Sequence, residues 1–121
     1  VANLPLNAQE KEQPIPVVNG VSWELASYRH KSISNINYDF EISIPTRVED
    51  PITANEKILF SLSDITNDLQ IDFKEDSDKI KQVNVNGTTR PTVHYNEHIV
   101  VDKKYLKQGK NSVEIRFTAV H

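Results

Sequence analysis

At 121 residues the chain fits one domain, and 37% apolar with 26% charged residues is ordinary globular material. No run approaches the roughly 18 apolar residues of a membrane helix, and a net charge of −3 offers no general footprint for a nucleic-acid backbone. The absence of cysteine excludes disulfides, thiolate nucleophiles, iron–sulfur clusters and cysteine-bound zinc.

Twelve isoleucines and twelve valines stand against seven leucines and five alanines, a β-branched excess that points to sheet. The chain starts at Val1 and holds no methionine, so it reads as processed or cut from a longer one. Residues 1–19, with Pro5, Pro14 and Pro16, read as a flexible Pro-rich arm. Residues 20–121 read as a β domain. Ser22 fits an N-cap with Glu24 in the first turn of one short helical turn, which sets Trp23, Ala26 and His30 on one side. An irregular segment that plants Trp23 and Tyr28 on the sheet fits nearly as well.

From Ile36 the pattern alternates strictly: Ile36, Tyr38, Phe40, Ile42 and Ile44 on one face, Asn37, Asp39, Glu41 and Ser43 on the other. Pro45 ends this strand and RVED before Pro51 reads as a turn. A second strand carries Ile52, Ala54, Ile58, Phe60 and Leu62 on one face, interrupted by Glu56, which is expected near a wet rim. Leu69, Ile71 and Phe73 repeat the alternation. Val83 and Val85 lead into Asn86-Gly87, a pair suited to a tight hairpin because both tolerate positive φ. A second hairpin turns at Asn96-Glu97, and Gln108-Gly109-Lys110 precedes a last strand with Val113, Ile115, Phe117 and Ala119. Six to seven strands without intervening helical periods imply an all-β fold, an antiparallel β-sandwich or a strongly curved sheet. Phe40, Ile42, Ile58, Phe60, Ile71, Val85, Ile115 and Phe117 are expected to face inward.

His94-Tyr95-Asn96-Glu97-His98 matches the inverted zinc-peptidase string H-x-x-E-H, whose chemistry needs both histidines on one helical face. Pro91 and the flanking β-branched residues make it a hairpin instead, with rings about 13 Å apart if fully extended. Glu75-Asp76-Ser77-Asp78 reads as a solvated turn, lacking the spacing of a calcium loop. Asn86-Gly87-Thr88 is formally a glycosylation sequon already explained by its turn. Lys103, Lys104, Lys107 and Lys110 around Tyr105 read as an exposed loop face. Trp23, Tyr28, Tyr38, Tyr95 and Tyr105 are the aromatic residues that a sugar-binding module would use, with Tyr38 better suited to the core. No catalytic, cofactor-binding or metal-ligating residue is assigned.

The order of these segments resembles the N-terminal β domain of aminopeptidase N-type zinc metallopeptidases, the family that includes leukotriene A4 hydrolase. The resemblance runs from Leu25-Ala26-Ser27-Tyr28-Arg29 through the strand Ile36–Ile44, Leu69–Phe73 and Val83–Gly87. It ends with Leu106, Gly109 and Asn111 leading to Ile115 and Phe117. Each motif is generic to β proteins; the specificity lies in their order and spacing over residues 20–120. The resemblance implies a truncated, non-catalytic piece of an exopeptidase that packs beside a thermolysin-like catalytic domain and helps wall its substrate cavity. Zinc and the peptide substrate then belong to that downstream domain, and this chain carries no cofactor of its own. The missing start methionine and the linker-like arm, which would follow a removed signal segment, point to an exported protein, and a cut surface predicts self-association of the isolated chain through its sheet edge or arm. The alternative is a stand-alone secreted β-sandwich for binding or adhesion; an autonomous enzyme is a distant third.

Overall fold

The computed structural model describes residues 14–119. Among these residues the one α-helix, α1 (Trp23–Ser32), starts where the Ser22 hydroxyl accepts a hydrogen bond from the Leu25 NH at 3.1 Å. Glu24 lies in the first turn and Arg29, His30 and Lys31 in the last, each complementing the helix dipole. At ten residues α1 is longer than the single turn the sequence suggests, and its buried stripe is Leu25, Tyr28 and Ser32. The expected side, Trp23, Ala26 and His30, faces solvent, with Trp23 82% exposed. The phase follows the docking loop after the second strand. Tyr28 donates from its hydroxyl to the Asp64 carbonyl at 3.1 Å, and Ser32 donates to the Asp64 carboxylate at 3.2 Å.

Eight strands follow: β1 (Ile33–Ser43), β2 (Ile52–Leu62), β3 (Leu69–Asp72), β4 (Ile80–Val85), β5 (Thr88–Arg90), β6 (His94–Tyr95), β7 (His98–Val101) and β8 (Gly109–Ala119). They form a five-stranded sheet in the order β1-β2-β8-β4-β5 and a three-stranded sheet in the order β3-β7-β6, all pairings antiparallel. The all-β, sandwich-like architecture with a short helix is as the sequence reads. The count exceeds six to seven because β5 and β6 are only three and two residues long.

Both expected hairpins close on positive φ. Asn86 and Gly87 stand at 51° and 86°, Asn96 and Glu97 at 49° and 64°, in the sense that matches the strands' twist. The core lies between the sheets, where Phe60 and Leu62 of β2, Val83 and Val85 of β4, Ile99 and Val101 of β7, and Val113 and Ile115 of β8 pack together. Ile58, Phe60, Val85 and Ile115 are buried as expected, while Ile71 and Phe117 are half-buried against the cluster.

Phe40 and Ile42 depart from expectation, at 50% and 55% exposed, as does Tyr38 at 67%. The register puts Tyr38 opposite Ile58, Phe40 opposite Glu56 and Ile42 opposite Ala54, so they share the inward face of the sheet. What is missing is a cover. The three-stranded sheet ends at β3 and does not extend over β1. A bulge between Ser34 and Asn37, with Asn35 at φ 53°, lets Ile33 join the core while the even-numbered residues beyond it stay bare.

The described end of the N-terminal arm is tied down. Ile15 NH donates to the Asn67 side chain at 3.1 Å, Asn96 donates to the Val17 carbonyl at 2.7 Å, and Gly20 NH donates to the Glu97 carboxylate at 3.1 Å. The rest of the Pro-rich arm, residues 1–13, lies outside the described residues.

Candidate docking face and its groove

Where the second sheet stops, a groove of about 330 Å³ opens between β1–β2 and β3. Ile33, Ile36 and Tyr38 line it from β1, Ile58 and Phe60 from β2, and Leu69 and Ile71 from β3. Apolar walls beside the bare Phe40 and Ile42 make one continuous hydrophobic surface. Phe40 sits 6.3 Å from Phe117, which meets Phe73 edge-on at 5.4 Å, so an aromatic line ties the bare face to the core.

Three charged side chains line this groove, Arg29, Glu56 and Asp72, and two of them are spoken for. Arg29 donates to the Gln70 carbonyl at 2.7 Å and to the Asp72 carboxylate at 2.8 Å, so α1 caps the outer edge of β3. Asp72 also meets His98 Nε2 at 3.1 Å, and His98 Nδ1 faces the Asn96 carbonyl at 2.8 Å. That chain of contacts clamps α1, β3 and the β6–β7 hairpin together around a histidine that is 1% exposed.

Glu56 is the exception. It stands on the inward face of β2 between Ala54 and Ile58, cross-strand from Phe40 on one side and Ile115 on the other. Its carboxylate has no hydrogen-bond or ion-pair partner among the described residues, and partial burial raises its pKa above the usual value. The sequence marks Glu56 as a break in an apolar face. It does not reveal that the residue is half-buried rather than wet, because that depends on how far β3 reaches across the sheet.

The other residues singled out in the sequence are dispersed. His94 and His98 lie on opposite arms of the β6–β7 hairpin, where His94 faces Ile99 in the register. The ring of His94 contacts the Ser77 hydroxyl and the Phe73 carbonyl, partners unrelated to those of His98. No group of three or more histidines or carboxylates is placed to share a metal among the described residues. Asn86, the formal sequon residue, spends its amide on the Tyr105 carbonyl at 3.2 Å and on Asn111 at 3.0 Å. Glu75 to Asp78 lie on an exposed turn. Tyr28 is buried, its hydroxyl pushed up to about 12 by desolvation and the Asp64 charge, and Tyr105 is covered by Arg90 at 4.2 Å. Trp23 lies on α1, Tyr38 on β1 and Tyr95 on β6.

A second hollow of about 350 Å³ lies at the opposite end of the sandwich, lined by Val83, Val85, Arg90, Val93, Tyr95 and Tyr105 among others. No helix among the described residues is long and apolar enough to cross a membrane. Compared with known proteins, the chain matches no family model, no curated protein and no solved structure.

Proposed function

We propose that this chain is the non-catalytic N-terminal β domain of a zinc-dependent aminopeptidase, packing against the rest of that enzyme through the bare face of β1 and helping wall its substrate cavity. The observation that carries the reading is the unfinished layer: Ile36, Tyr38, Phe40, Ile42 and Ile44 are 47–75% exposed on the inward side of an otherwise packed sandwich. A soluble domain gains nothing from aligning five large apolar side chains on one face unless something covers them. The order of segments that resembles the aminopeptidase N-type domain supplies the identity of the cover, the adjoining catalytic domain. In that reading zinc and peptide chemistry reside in the catalytic domain, and this chain contributes a wall.

The deciding experiment is to read the coding sequence past His121 and express the whole product. A His-Glu-x-x-His segment with a distal glutamate, and hydrolysis of aminoacyl anilides by the longer protein, is the expected outcome. A stop codon close behind His121 overturns the proposal in favour of a stand-alone binding module.

A further inference from the structure

We propose that the face formed by β1 and β2 docks a polypeptide segment that is apolar and carries one lysine or arginine, whose cation closes on Glu56. The inference rests on the foregoing reading only for the owner of that segment, the neighbouring domain.

Area comes first. The five side chains from Ile36 to Ile44 bare on the order of 100 Å² each, roughly 500 Å² in all, against about 800 Å² per partner in a standard interface. With the groove walls beside them, the surface is of the size that a specific contact buries.

Charge then selects among occupants. Glu56 is set within this apolar field, and no cation reaches it among the described residues. Arg29, which also lines the groove, is held by Asp72 and the Gln70 carbonyl. Any cover that is purely apolar strips the remaining water from Glu56 without replacing it, which is costly for a carboxylate. A second copy of this chain stacked face to face is worse, since it brings a second unpaired Glu56 into the same apolar contact. A cover with a cation among apolar residues instead converts the desolvated carboxylate into a charge-assisted pair.

The outer face of β1 does not share this demand. Asp39 and Glu41 are exposed, and Asp39 lies opposite Lys57 in the register. Glu56 is therefore the one carboxylate of the bare inward face, and it alone sets the sign of the partner's charge.

The test uses the full chain and two amphipathic helical peptides, one of leucine and lysine and one of leucine and glutamate, followed by NMR titration at physiological salt. The lysine peptide is expected to shift resonances of Tyr38, Phe40, Ile42 and Glu56, with Glu56→Gln weakening it roughly five- to tenfold. Asp39→Asn should leave the affinity within about twofold, separating a local pair from general attraction to an acidic protein. Because the Glu56 side chain makes no contact that a glutamine would break, Glu56→Gln keeps the fold. Equal binding of both peptides, perturbation confined to other surfaces, or indifference to Glu56→Gln overturns the inference. None of those results bears on whether a catalytic domain follows His121, and a stop codon there would leave the docking chemistry standing.

Discussion

Asn111 organises the β7–β8 connection from a nearly sealed position, 4% exposed. Its side-chain oxygen accepts from the Lys107 NH and from Asn86, both at 3.0 Å, while its amide donates to the carbonyls of Lys107 at 2.6 Å and Gly109 at 3.1 Å. Asn86 in turn accepts from the Ser112 NH at 2.8 Å, so two asparagines join a hairpin tip to the start of β8. Asn111→Ala leaves buried backbone groups unpaired and should cost about 1–3 kcal/mol in denaturant unfolding. Asn111→Asp keeps the acceptor but turns a carboxylate oxygen on the carbonyls of Lys107 and Gly109, so at pH 7 it should cost at least as much as the alanine. Glu56 makes the opposite prediction. Its raised pKa means that the folded chain holds this proton more tightly than the unfolded chain does, so its effect on stability worsens as pH rises through the folded value. Glu56→Gln should therefore unfold at higher denaturant than the parent at pH 7, by under about 1 kcal/mol because the group is half-exposed. That gain should fade as pH drops below the ordinary glutamate value of 4.5, where the carboxyl is protonated in the folded and the unfolded chain alike. A variant less stable than the parent at pH 7 would show that Glu56 has a partner in solution.

Strands β1 and β2 show where element-level reasoning reaches and where it stops. Both carry apolar alternation, broken in β2 only at Glu56, both are eleven residues long, and their faces are in register. Alternation is a local property and correctly places Tyr38, Phe40 and Ile42 on the side of Ile58 and Ala54. Burial is not local. It depends on the second sheet, whose three strands sit over β2, β8 and β4 and end at β3, and no period within β1 encodes that limit. The hairpin tips at Asn86-Gly87 and Asn96-Glu97 were legible because turn chemistry acts within four residues. The stripe of α1 was not, because Leu25 and Tyr28 are selected by the distant Asp64 loop rather than by helical spacing alone. The same contrast yields a paired test. Ile58→Ala, at 8% exposed, should cost about 2–5 kcal/mol, whereas Ile42→Ala, at 55% exposed, should cost under about 1 kcal/mol in the isolated chain. Equal losses at the two positions would mean that β1 is covered in solution. On the proposed reading, the Ile42 cost should rise once the neighbouring domain is attached.

At the scale of the whole molecule the bare sheet must either find its cover or associate with itself, and the charges on β1 and β2 decide how readily. Edge-to-edge pairing of two β1 strands about Phe40 sets Asp39 of one copy opposite Glu41 of the other, a like-charge contact that discourages the register. Face-to-face stacking escapes that clash but buries two Glu56 carboxylates together at neutral pH. The isolated chain should accordingly associate only weakly at pH 7 and only at high concentration. As pH falls toward the raised pKa of Glu56, the buried carboxylates become neutral and stacking loses its main penalty. Sedimentation across a concentration series should show dimer growing between pH 7 and pH 4.5. Glu56→Gln should associate at pH 7 as the parent does in acid, and Phe40→Asp should abolish association at both. A chain that stays monomeric to millimolar concentration at both pH values would mean that its surface is already finished, which is what a stand-alone module requires and a domain cut from a larger enzyme does not.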